Sequence, residues 1–174
     1  YEETADPGAA RHRIEHSELA SDEAIERMAD LGVVASMQPN FHKWGFEDGL
    51  YDARLGDRRT DANRLSAYLE AGAPLAFGSD CMPLDPLLGV HYAVNAPSER
   101  QSLGVTEALR AYTGGAAYAG FDEGDLGALE PGAKADFVLL EASPWEQADA
   151  IRDIDVAATA VDGEFVYEGR WLAR

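Results

Sequence analysis

Two hydrophobic periods alternate along the first 120 residues. Residues 11–16 read as a strand, with His12, Ile14 and His16 on one face and Arg13 and Glu15 on the other. Residues 17–31 then change to a helical period, with Ile25, Met28 and Leu31 as the apolar stripe. Ser21 is the expected N-cap, Asp22 and Glu23 fill the first turn, and Gly32 stops the helix. Residues 33–38 form a second strand, closed by Pro39-Asn40. A connection of about 20 residues follows, a length that is more often functional than structural. Thr60 is expected to cap a helix carrying Leu65, Tyr68 and Leu69, ended by Gly72, and residues 73–79 give a third strand.

Strand, helix, strand, helix, strand at this spacing predicts parallel α/β structure. A second long connection, about 80–104, contains a short helix near 87–94. Thr106 is expected to cap the next helix, from Glu107 to about Tyr118. After Gly120 the grammar changes: residues 135–140, 156–161 and 164–167 are strand-like. Asp162-Gly163 between the last two is a two-residue hairpin signal. The chain therefore divides into a βα region, 1–120, and a small β region, 121–174.

The polar residues at strand ends carry the candidate chemistry. His16, Gln38 and Asp80 each end one of the three consecutive strands, on one side of the sheet, where a (β/α) barrel keeps its active site. Plainer roles exist for each. A histidine at a strand end is often only solvated, Asp80 is equally suited to cap the helix that follows, and Gln38 before Pro39 is equally a turn residue. His42 and His91 lie on the two long connections and are candidate substrate contacts. Trp44, Phe46 and Tyr51 either shape a pocket for an apolar substituent or pack among themselves. Cys81 reads as a small packed side chain.

Composition narrows the classes. Of 174 residues, 14 are basic and 32 acidic, a net charge of −18, and 46% are hydrophobic. That is enough apolar material for a core, and it excludes disorder as the main state. The charge opposes nucleic-acid binding, and no apolar run is long enough to span a membrane. A single cysteine excludes a disulfide framework and a cysteine-built zinc site. The acid is spread along the whole chain, and lysine occurs twice against twelve arginines. Such a surface fits a salt-rich cytoplasm, where ions screen the self-repulsion. The N-terminus has neither a basic segment nor an apolar one, so it is not read as a signal peptide; it reads as the middle of a longer chain.

The sequence also resembles a known family. Arg13-Ile14-Glu15-His16 and Gly78-Ser79-Asp80 are similar, in order and separation, to the last metal-site strands of the amidohydrolase superfamily. Ser36-Met37-Gln38-Pro39 narrows the resemblance to the amidohydrolase 3 group, the branch similar to N-substituted formamide deformylases. Glu107-Ala108-Leu109-Arg110-Ala111-Tyr112-Thr113 and the segment Gly127 to Phe137 (GALEPGAKADF) extend it over nearly the whole chain.

The resemblance implies the C-terminal part of a distorted (β/α)8 TIM barrel followed by a small β-sandwich segment. It implies a metal-dependent hydrolase acting on a non-peptide C–N bond of the amide or formamide type, with one or two divalent ions, zinc first among them. His16 falls at the sixth-strand metal histidine and Asp80 at the eighth-strand aspartate, which is also the general base. Gln38 falls in the substrate pocket. If the site is mononuclear, His16 instead hydrogen-bonds substrate or water.

The family's first-strand His-x-His pair, its bridging lysine or glutamate and its fifth-strand histidine have no counterpart here. The chain is therefore expected to be the C-terminal portion of a longer enzyme, or else a degenerate relative with a structural role. The expected partners are a small-molecule amide and a second copy of the chain. An isolated half barrel leaves apolar edges open, so self-association is expected. A phosphate-binding barrel is disfavoured, because Gly114-Gly115 falls inside a helical stretch rather than between strand and helix.

Overall fold

The structure, a computed structural model, describes residues 7–46, 48–80 and 83–169. A short helix, α1 (Pro7–Ala10), precedes β1 (Arg13–Glu15), α2 (Asp22–Asp30) and β2 (Val34–Met37). Helix α2 begins as its sequence dictates: Ser21 Oγ accepts the Ala24 N–H at 3.2 Å, and Asp22 and Glu23 sit at the positive helix end. It ends at Gly32, whose φ of 62° is open to glycine without steric penalty. Its buried face is Ile25 and Met28, each stabilising by about 1.5–3 kcal/mol.

The long connection after β2 is not an open loop. A 3-10 turn (Pro39–Trp44), helix α3 (Leu50–Leu55) and a second 3-10 turn (Gly56–Asp61) fill it. Helix α4 (Leu65–Ala71) leads into β3 (Leu75–Phe77). Thr60 does not cap α4: its hydroxyl donates to Asp57 O, and Asn63, with φ at 51°, breaks the chain just before the helix. Helix α5 (Pro86–Val94) follows, capped by Asp85, whose carboxylate accepts the Leu88 N–H at 3.1 Å.

The expected single helix after residue 106 is a composite. Helix α6 (Val105–Arg110) passes through a π-helical turn (Ala111–Gly115) into α7 (Ala116–Gly120). Gly104, not Thr106, holds the cap position, and Thr106 Oγ1 accepts the Trp145 indole N–H.

β1, β2 and β3 form a parallel sheet in that order, with Ala35 opposite both Ile14 and Leu75, and Met37 opposite Phe77. Ala35, Met37 and Phe77 face the helices and share one core with Ile25, Met28, Leu65, Tyr68, Val90 and Ala108. The opposite face carries Glu15, Ser36 and Ala76 in register, and Ser36 Oγ donates to Glu15 Oε2 at 2.6 Å.

β4 (Phe137–Leu140), β5 (Val156–Val161) and β6 (Glu164–Glu168) form a separate antiparallel sheet with β5 in the middle. Asp162 and Gly163 both have left-handed backbones, φ 53° and 81°, as the β5–β6 hairpin turn requires. A 3-10 turn (Ala148–Asp153) between β4 and β5 packs on α5 and inserts Ile151, fully buried, into the first core. Packing thus crosses the division near residue 120.

Candidate functional site

The three strand-end residues come together. His16 Nδ1 lies 2.8 Å from Gln38 Oε1, and His16 Nε2 lies 4.0 Å from Asp80 Oδ2. The Gln38 amide nitrogen points to Ser36 O, at 3.5 Å, which leaves its oxygen toward the imidazole. That oxygen only accepts, so the shared proton belongs to His16 Nδ1, and Nε2 is the nitrogen that faces the carboxylate. Phe41 stacks on the same ring, with centroids 5.8 Å apart and planes at 19°. The His16 and Asp80 side chains remain 48% and 40% exposed, open to an incoming ligand.

Strand alternation alone would not bring these groups together. In β1 the alternate residue Ile14 lies opposite Ala35, on the helix-facing side, and His16 would follow it there. Instead the chain leaves the extended region at His16 (φ 68°) and Ser17 (φ 40°), which turns the ring over the strand ends. Asp80 is likewise left-handed, with φ at 53°. Unfavourable backbone at both residues is the kind of strain that surrounding structure must sustain. The helix-capping role open to Asp80 in the sequence is filled by Asp85.

The donor chemistry suits a divalent cation. Two acceptors, an imidazole nitrogen and a carboxylate oxygen, face each other across 4.0 Å. With metal–nitrogen and metal–oxygen bonds of about 2.0–2.2 Å at a tetrahedral angle, two such donors stand about 3.4 Å apart, so a small inward movement of either side chain would bring the pair to bonding separation. No group of three or more His, Cys, Asp or Glu side chains with metal-binding geometry occurs among the described residues.

The other expected contacts lie elsewhere. His42 is fully buried in the 3-10 turn after β2, and neither ring nitrogen has a hydrogen-bond partner among the described residues. Burial lowers its pKa to about 4. The nearby Gln101 main chain opposes this weakly and does not reach hydrogen-bond geometry. His91 faces the 148–153 turn: Asn95 Nδ2 lies 3.3 Å from its Nδ1 and bridges to Ala148 O at 2.9 Å. Its pKa is lowered, first by burial and then by Arg152. Both histidines are buried, because the connections that carry them fold into the core.

Gln38 is also buried, and its amide is engaged by His16 rather than exposed along a pocket wall. Trp44 packs between Phe41 and Tyr51, and the Tyr51 hydroxyl donates to Glu18, whereas Phe46 stays exposed and meets Tyr92. Cys81 lies outside the described residues. Phe41 and Ser17 were not singled out in the sequence, and Tyr68 was read only as part of a helix's apolar face. Only Pro39, which sets the turn that carries Phe41, hinted at the first of them.

The described residues form an α/β chain with polar groups at the C-terminal ends of its parallel strands. The chain belongs to the amidohydrolase family, whose sequence profile matches residues 1–167. It is 34% identical to YtcJ of Bacillus subtilis (strain 168), an amidohydrolase by name, over 93% of this chain and 33% of that protein. It is 31% identical to an imidazolonepropionase of Geobacillus kaustophilus, over 86% of this chain and 32% of the other. It is 29% identical to the N-substituted formamide deformylase of Arthrobacter pascens, over 90% and 31%. Among solved structures, a metal-dependent hydrolase from Pyrococcus furiosus superposes with a TM-score of 0.67 at 33% identity, over 78% of this chain and 29% of that one. The chain thus spans about a third of the length of these relatives.

Proposed function

We propose that this chain contributes to a metal-dependent amidohydrolase that cleaves a non-peptide C–N bond, of the amide, formamide or cyclic amide type. One observation carries the proposal: an oriented imidazole and a carboxylate converge at 4.0 Å over the ends of parallel strands. The likeness to an imidazolonepropionase and to a formamide deformylase supports the bond class. On this reading the parallel sheet belongs to a (β/α)8 barrel and the antiparallel sheet to a small β-sandwich.

Each residue has a defined task. Gln38 accepts the proton of His16 Nδ1, which leaves Nε2 as the nitrogen turned toward Asp80. His16 and Asp80 hold a divalent ion, zinc by the match of imidazole and carboxylate donors. When bound, such an ion activates water and polarises the scissile carbonyl. Asp80 takes the proton from the attacking water and delivers it to the leaving nitrogen. The substrate is a small molecule, and the charge of −18 supports a salt-rich cytoplasm as its setting. No described helix is long and apolar enough to cross a membrane.

The test is Asp80→Asn in the complete enzyme, assayed with zinc on N-formyl amines and cyclic amides. Loss of a general base lowers turnover by about 10²–10⁴-fold, with the circular dichroism spectrum unchanged. Turnover near the parent value would remove Asp80 from the chemistry.

A further inference from the structure

His16 is useful only if its ring stays where Gln38 and Asp80 meet it, yet its backbone is strained. His16 and Ser17 are consecutive non-glycine residues with left-handed φ, 68° and 40°, a conformation disfavoured for any L side chain. The main chain holds part of this turn, through His16 N–H to Ser36 O at 2.9 Å and Ser17 N–H to Glu15 O at 2.8 Å. Gln38 and Phe41 meet the His16 ring, and Ser17 is met by Met28 Sδ, 4.0 Å from its hydroxyl, and by Tyr68.

Tyr68, on α4 and 1% exposed, donates its hydroxyl to Ser17 O at 2.8 Å. The Tyr68 hydroxyl oxygen also lies 2.8 Å from Ser17 Oγ. A phenol has one proton, already given to the carbonyl, so the serine hydroxyl donates in return. The result is a reciprocal clasp on a single residue, main chain and side chain together.

The clasp continues as a seam. Asn63 N–H donates to Glu18 O at 2.7 Å, and Arg64 donates to Ala20 O at 2.8 Å while pairing with Asp22 at 2.5 Å. The segment that follows His16 is thereby sewn onto the start of α4, the helix that feeds β3 and Asp80. One helix therefore sets both partners of the candidate site.

We infer that the Ser17–Tyr68 hydroxyl pair is a positioning device that holds the strained His16–Ser17 turn, and so keeps the His16 ring in its metal-ready orientation. This rests on the assignment of His16 and Asp80 as ligands. It goes beyond that assignment by naming what fixes their geometry.

The test uses the chain labelled with 15N-histidine. Long-range proton–nitrogen spectra of the metal-free protein report which His16 nitrogen carries the proton, and zinc titration reports affinity. The parent is expected to show the Nδ1–H form. Tyr68→Phe keeps the packed ring and deletes the hydroxyl. It should let the two tautomers become comparable and weaken zinc binding by about tenfold or more, the usual size for a residue behind a ligand.

Ser17→Gly added to Tyr68→Phe should restore the Nδ1–H form, because glycine adopts the left-handed turn without support. A merely structural role would lower Tm in Tyr68→Phe and leave the His16 shifts in place, and that result would overturn the inference. So would failure of glycine to restore them. If Tyr68→Phe does not fold, Ser17→Ala replaces it with the same readouts, and parent-like His16 shifts there also overturn the inference. Parent His16 resonances that ignore zinc would refute the metal assignment alone; the tautomer shifts would still judge the clasp.

Discussion

His42 provides a quantitative link between burial and pH. The ring is fully buried with neither nitrogen paired, and its pKa falls from 6.5 to about 4. In the unfolded chain the same ring takes a proton near pH 6.5. Between these values the unfolded state binds more protons than the folded one, so stability rises with pH and is lost on acidification. The contribution is fully present above pH 6.5 and gone below about pH 4. At about 1.4 kcal/mol per pH unit, the loss over that window is about 3 kcal/mol.

The perturbation is His42→Leu, which keeps an apolar side chain of similar bulk and removes both unpaired polar atoms. Urea unfolding at several pH values from 7 to 4, at one fixed high salt concentration, gives the stability of parent and variant. The difference between them should shift by about 3 kcal/mol in favour of the variant as pH falls. Other titrating groups are common to both proteins and cancel. Parallel pH curves for the two proteins would refute the reasoning, because they would mean that the folded interior accepts the proton as readily as water does.

Three other outcomes follow from packing and charge. Gly115→Ala should lower Tm by several degrees although alanine is the better helix former, because its Cβ would lie 2.2 Å from Leu75 O in the main chain of β3; a raised Tm would refute that contact. Thermal unfolding in increasing potassium chloride should give a rising Tm, since the net charge of −18 repels itself across a Debye length of about 10 Å at 0.1 M salt; an unchanged Tm would argue against dominant self-repulsion. The β4–β6 sheet leaves Val138, Phe165, Val166 and Tyr167 more than half exposed, so size exclusion in high salt should show self-association; a monodisperse monomer would count against it.

What was legible in the sequence depended on local rules that nothing distant overrode. Ser21 with Ile25 and Met28 specified α2, and Asp162-Gly163 specified its hairpin, because cap and turn chemistry act within a few residues. The co-location of His16, Gln38 and Asp80 was also legible, but not for the reason that alternation supplies. His16 reaches the site through a left-handed backbone that no periodicity encodes. Thr60 and Thr106 look like caps and are not, because Asn63 breaks the chain nearer α4 and Gly104 precedes α6. The two long connections looked open in sequence. Their collapse onto the core, with His42 and His91 inside, is a tertiary event, and so is the Tyr68 clasp, whose partners are 51 residues apart.

Ile151 has a consequence in time. It fills the core beneath α5, yet it follows Ala111, the buried core residue that precedes it, by about 40 positions. At synthesis rates of about 5–20 residues per second, the ribosome needs roughly 2–8 s to add them. For that interval Val90 and Ala93 belong to a nearly finished core that lacks its plug. A nascent chain in this state is apolar on a surface later hidden. The cell must then shelter it or lose some of it to aggregation, however stable the completed protein proves to be.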